Sequence, residues 1–186
     1  MIKGYLFASF IPWIFFSIFY TPGADSSALV SLIALFGIVY LGYHELRKGF
    51  VLPWGEALFF AFSALNGWLH FWPWAEVHAY LLVNSALAFI VLFSMLIGQP
   101  FTLQYAREKV SPEYWNAPLF LKINWVLTSI WAVLMITLAL PSYFLSQAEI
   151  QSHWFYNYGL SVLCVFIGIQ CNHLIPAWFQ KNTKSK

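Results

Sequence analysis

Six long apolar runs follow one another along the chain, at residues 4–20, 26–43, 55–72, 79–98, 119–140 and 154–176. Each is close to the roughly 20 residues that an α-helix needs to cross a bilayer. The breaks between them carry turn and cap chemistry: Thr21-Pro22-Gly23-Ala24-Asp25, Pro53 with Gly55, Pro73, Gln99-Pro100, Ser111-Pro112, Pro118 and Pro141. Asp25 reads as the N-cap of the second helix. Apolar residues run continuously within each segment instead of alternating, so helices are predicted and not the strands of a barrel. The pattern predicts an all-α, polytopic membrane helical bundle: one integral membrane domain over 1–186 with six transmembrane helices.

Composition sharpens this reading. The 186 residues are 61% hydrophobic, 21% aromatic and only 9% charged, against roughly 25% charged in a soluble domain. A water-soluble globule is excluded, and a net charge of +2 offers no basic field for nucleic acid. Position matters more than number. With the N-terminus inside, all nine Lys and Arg residues, Lys3, Arg47, Lys48, Arg107, Lys109, Lys122, Lys181, Lys184 and Lys186, fall on one side, which the positive-inside rule makes cytoplasmic. The outward connections hold Asp25, Glu76 and Glu149 and no Lys or Arg. Both termini are therefore expected in the cytoplasm. If the first run, which contains Pro12, is re-entrant, five spans result and the N-terminus lies outside. That run is read as a signal-anchor and not as a cleaved leader, because further spans follow it at once.

Tryptophan favours the headgroup level, and eight of the ten in the chain fall at predicted span ends. Trp13 and Trp131 sit deeper.

Motifs for soluble chemistry are missing: there is no phosphate loop, GxGxxG, HExxH or GxSxG. No enzyme and no cofactor is expected. Cys164 and Cys171 lie seven apart on one helix, about 10 Å by helical rise, too far for a disulfide with each other. His70, His78 and His153 share the outer side with Glu76, a chemically possible metal set, but their spacing does not demand one and no metal site is assigned. His44 and His173 on the inner side are likewise only formal candidates for axial haem ligands.

Polar residues inside the spans form a sharper set, since each needs an internal partner. Asn66 and His70 are spaced i, i+4 and share a helix face, and with Asn84 and Asn124 they form a candidate intramembrane cluster. A substrate path is one reading, which makes a small-molecule or lipid transporter the alternative function. Interhelical hydrogen bonding at about 0.6 kcal/mol per contact is favoured, because none of these residues is a mid-membrane acid or base. Glu56 is placed in the first turn of the third helix, within reach of Arg47 or Lys48. The stretch 99–118, with Leu103, Ala106 and Val110 at helical spacing, is expected to lie on the cytoplasmic surface with Trp115 as its anchor. Gln99, Pro100, Arg107, Lys109 and Trp115 are its candidate interaction residues.

The order of features resembles the intracellular septation protein A family of bacterial inner-membrane-spanning proteins. The resemblance rests on FIPWIFFSIFY at 10–20, HELRKG at 44–49, GQP at 98–100, Pro112-Glu113-Tyr114-Trp115, and Asn124 with Trp131 on the next helix. It covers nearly the whole chain. Gln99 stands where that family usually has a basic residue, and the step from Trp115 to Asn124 is wider than usual. The resemblance implies a multi-pass protein of the bacterial inner membrane, acting without catalysis in envelope biogenesis and septation through contacts with division or elongation proteins.

Overall fold

The computed structural model describes residues 6–24, 26–147 and 159–184, with side chains described over 8–24, 26–144 and 159–179. Asp25, His153, Trp154 and Glu149, like Lys3 and Lys181, lie outside the described backbone or side chains. The described residues are helical, with no strand among them. The helices are α1 (Leu6–Phe19), α2 (Ser27–Leu41), α3 (Tyr43–Arg47), α4 (Val51–Leu69), α5 (Pro73–Val77), α6 (Ala79–Leu96), α7 (Phe101–Arg107), α8 (Pro118–Gln147) and α9 (Leu160–Lys184). A 3-10 turn, Pro112–Tyr114, precedes α8.

The six long helices pack as a ring. α1 lies on α2, α2 on α4, α4 on α6, α6 on α8 and α8 on α9, and α9 returns to α1. Aromatic rings fill the interior. Phe10 stacks on Trp131 with centroids 4.9 Å apart, and Trp13 meets Phe59 and Phe60. Phe10, Phe16, Phe60, Phe101 and Trp131 are essentially inaccessible. The outer surface is apolar in turn: Phe36, Leu58, Trp68, Phe89, Leu96, Val133 and Phe166 are exposed. A monomeric soluble protein rarely shows such continuous apolar surface, whereas lipid tails accept it.

α6, α8 and α9 are long and apolar enough to cross a membrane. α4 has 19 residues but carries Glu56 and Asn66, which lower its mean hydropathy, while α1 and α2, at 14 and 15 residues, are shorter. Small residues set the closest approaches between helices, as expected where lipid supplies no hydrophobic drive. A Cβ on Gly67 of α4 would lie 3.0 Å from the Ala28 backbone of α2. One on Gly168 of α9 would lie 2.5 Å from the Trp131 ring.

Three sequence expectations are corrected here. α4 begins at Val51 instead of 55, because Pro53 falls in the first turn, where its missing N–H has no helical acceptor to serve. α8 continues through Pro141 instead of ending there. Beside the proline, the Ser142 hydroxyl donates to the Leu138 carbonyl at 2.9 Å and takes an N–H from Asn84 at 2.7 Å, which ties the interrupted turn to α6. The third correction concerns 99–118. Its first half is not a surface helix: Phe101, Thr102, Leu103, Gln104 and Tyr105 are all buried.

Candidate functional site

α7 enters one end of the ring as a plug, and its polar groups are distributed one by one to the surrounding helices. At its start, the Phe101 N–H donates to Ser94 Oγ of α6 at 3.1 Å. Thr102 Oγ1 lies 2.9 Å from the Asn124 carbonyl and 2.7 Å from Thr128 Oγ1, both on α8. Gln104 Oε1 accepts the Val51 N–H at the start of α4, an otherwise unserved donor, at 2.9 Å. Tyr105 Oη pairs with Ser9 Oγ of α1 at 2.7 Å. Apolar periodicity around Leu103 pointed to a membrane-surface helix, but Thr102, Gln104 and Tyr105 give α7 polar partners on every side. Those partners come from α8, α4 and α1, between 22 and 96 residues away along the chain, so no local pattern announces them.

The candidate interaction residues divide accordingly. Gln99 accepts from Gln104 Nε2 at 3.3 Å, and Pro100 is buried as the N-cap of α7, so both shape the turn into the plug. The Arg107 guanidinium sits over the Trp115 ring at 5.6 Å, and Trp115 Nε1 donates to the Val110 carbonyl at 2.9 Å. These two fold the segment back on itself. Lys109 is exposed, as is 111–114, so this second half lies outside the packed core.

A polar clasp closes the plug. Lys48, the C-cap of α3, reaches both carboxylate oxygens of Glu108 at 2.7 Å, and His44 Nε2 lies 3.3 Å from one of them. Glu108 occupies the C-cap of α7, where the helix dipole disfavours a negative charge. The Lys48 ammonium offsets this and holds the Glu108 carboxyl below its ordinary pKa, with His44 adding to the effect.

Lys48 is therefore committed to Glu108, and Arg47 lies over the Tyr43 ring. Neither neutralises Glu56, contrary to the sequence expectation. Glu56 belongs to the second turn of α4 and is wholly inaccessible, with neither carboxyl oxygen hydrogen-bonded. Trp13 Nε1 faces it from α1 without reaching hydrogen-bond geometry.

The four-residue intramembrane cluster does not assemble at one point. Asn66 and His70 do meet, through Glu76, at the opposite end of the ring. His70 ends α4 in the left-handed conformation, with φ 51°. Its Nδ1 lies 3.1 Å from both Glu76 oxygens. Asn66 accepts the Trp72 N–H at 2.8 Å, donates to the Trp72 carbonyl at 3.1 Å and reaches Glu76 at 3.4 Å. This knot fastens the α4–α5 connection. Asn84 is engaged with Ser142, and Asn124 donates to the Phe120 carbonyl of its own helix at 2.9 Å. Each polar group thus has a local partner, and no polar path links them.

Among the described residues, no three His, Cys, Asp or Glu side chains gather as a metal-binding set. His78 stacks on Trp74 at 4.3 Å and bonds its carbonyl, while His153 lies outside the described residues. Comparison with protein-family models, curated proteins and solved structures found no match.

A cleft remains between α7, α8 and α9. It has a volume of about 300 Å³ and is walled in part by Thr102, Lys109, Phe120, Asn124 and Asn172. Asn172 Oδ1 accepts from Trp131 Nε1 at 3.3 Å.

Proposed function

We propose that this chain is a six-span protein of the bacterial cytoplasmic membrane, with both termini in the cytoplasm, that acts without catalysis as a scaffold in envelope assembly and septation. The observation that carries this reading is the filled ring: aromatic side chains occupy its axis, α7 closes its inner end, and Asn66, Asn84 and Asn124 are each engaged with a separate partner. A transport route needs polar groups that converge near the midplane, and the separate engagement of Asn66, Asn84 and Asn124 speaks against one. The one-sided basic residues supply the orientation, and the resemblance to the septation family supplies the process. The short α1 and α2 are accommodated by modest local thinning of the bilayer.

On this reading the contact surface is the exposed inner rim around 108–114. Glu113→Lys with Tyr114→Ala changes that rim without touching the plug. The double variant is expected to insert and melt normally, and to lower recovery of division and elongation proteins after in-membrane cross-linking by several-fold. Unchanged recovery would overturn the assignment of the rim.

A further inference from the structure

We propose that the cleft between α7, α8 and α9 is a binding site for a phospholipid headgroup that carries both a phosphate and hydrogen-bond donors, such as phosphatidylglycerol. The inference stands on the chemistry of the walls and goes beyond the scaffold reading. From Phe120 to Leu127 the cleft follows α8 for seven residues, about 10 Å of helical rise, the depth of a headgroup with its first methylenes. Phe120, Ile123 and Leu127 make one wall apolar, and Lys109 brings a cation to the rim.

The opposite wall carries the more specific signal. Pro176 has no N–H, so the helical bond that the carbonyl four residues earlier would accept is missing, and that carbonyl belongs to Asn172. Both residues line the cleft. The Asn172 side chain uses its Oδ1 toward Trp131 and keeps its amide N–H groups for another partner. Asn124 uses its Nδ2 toward Phe120 and keeps Oδ1. The walls therefore offer a cation and amide donors for phosphate, and two oxygen acceptors for hydroxyl or ammonium protons. Phosphatidylcholine, which has phosphate but no donor, satisfies only half of this set.

Native mass spectrometry of the detergent-purified full chain, titrated with phosphatidylglycerol, phosphatidylcholine and sn-glycerol 3-phosphate, tests the site. Phosphatidylglycerol is expected to be retained more strongly than phosphatidylcholine. Lys109→Glu should weaken it about fivefold or more, the worth of one basic residue near an anionic headgroup. Ala106→Phe, which fills the cleft from α7, should abolish the preference while the protein still melts cooperatively. Retention of glycerol phosphate alone would place recognition in the headgroup, and its absence beside retained lipid would show that the chains are also needed; either agrees with the site if both variants lose binding. Equal retention of the two lipids, or a preference that survives Ala106→Phe, would overturn the proposal and leave ordinary boundary lipid.

Discussion

Trp131 is the residue on which the packing depends most, and its removal gives the sharpest stability prediction. The ring is inaccessible, stacks on Phe10 of α1, meets Phe101 of α7 edge-on at 6.0 Å and covers Gly168 of α9. A single side chain of α8 thus joins three other helices. Replacing a core tryptophan by alanine costs about 3–5 kcal/mol in soluble proteins. In a bilayer the separated helices remain in an apolar medium, so the transfer part of that cost shrinks and lost packing dominates. The expected cost of Trp131→Ala is therefore near the lower end, about 3 kcal/mol. Roughly 0.5–1.5 kcal/mol of this belongs to the stack with Phe10. Reversible unfolding in mixed micelles of increasing denaturing-detergent fraction gives the total, and a double-mutant cycle with Phe10→Ala isolates the stack. A total below about 1 kcal/mol, or additive single effects, would refute the claim that the ring is filled around this residue.

Other consequences follow from the same geometry. Glu56→Met removes an unbonded buried carboxyl and keeps an unbranched shape, so it should stabilise the protein by about 1–3 kcal/mol, read as a higher midpoint in the same assay; a loss of stability would mean that Glu56 has a working partner. Glu108 is held below its ordinary pKa by Lys48, so the clasp contributes at neutral pH. That contribution is lost as the pH falls through and below the usual glutamate range of about 4.3. Because the pair is partly exposed, its worth is only about 0.5 kcal/mol, and Glu108→Gln should flatten that portion of the pH–stability curve; an unchanged curve would remove the clasp from the account. Thr102→Val leaves the Asn124 carbonyl and Thr128 hydroxyl without their α7 partner, and should cost about 1–2 kcal/mol, whereas a neutral result would mean the plug is held by apolar contacts alone.

Most of the long helices were legible in the chain because a spanning helix must satisfy its backbone internally and present apolar side chains to lipid. The two tryptophans that fell away from the predicted boundaries, Trp13 and Trp131, are both buried in the core. Helix ends were less legible. Pro53 and Pro141 read as breaks, yet one sits in a tolerant first turn and the other is compensated by Ser142, a contact with α6 that no local pattern reveals. The burial of α7 was hidden for a related reason. Leu103 and Ala106 have the spacing of an interfacial helix, and the partners that draw Thr102, Gln104 and Tyr105 inward lie on three different helices, α8, α4 and α1. The four polar residues stay apart because they lie at different depths: Asn66 and His70 meet at Glu76 at one end of the ring, Asn84 pairs with Ser142, and Asn124 lies beside α7 at the other end.

The arrangement of spans and plug is tested most directly by cysteine accessibility in intact and permeabilised spheroplasts, with both native cysteines replaced by alanine. A membrane-impermeant maleimide should label Trp74→Cys from outside, label Glu113→Cys only after permeabilisation, and label Leu103→Cys in neither condition. Labelling of positions 74 and 113 from the same side would contradict the six-span topology. Labelling of position 103 as readily as 113 would contradict the internal plug.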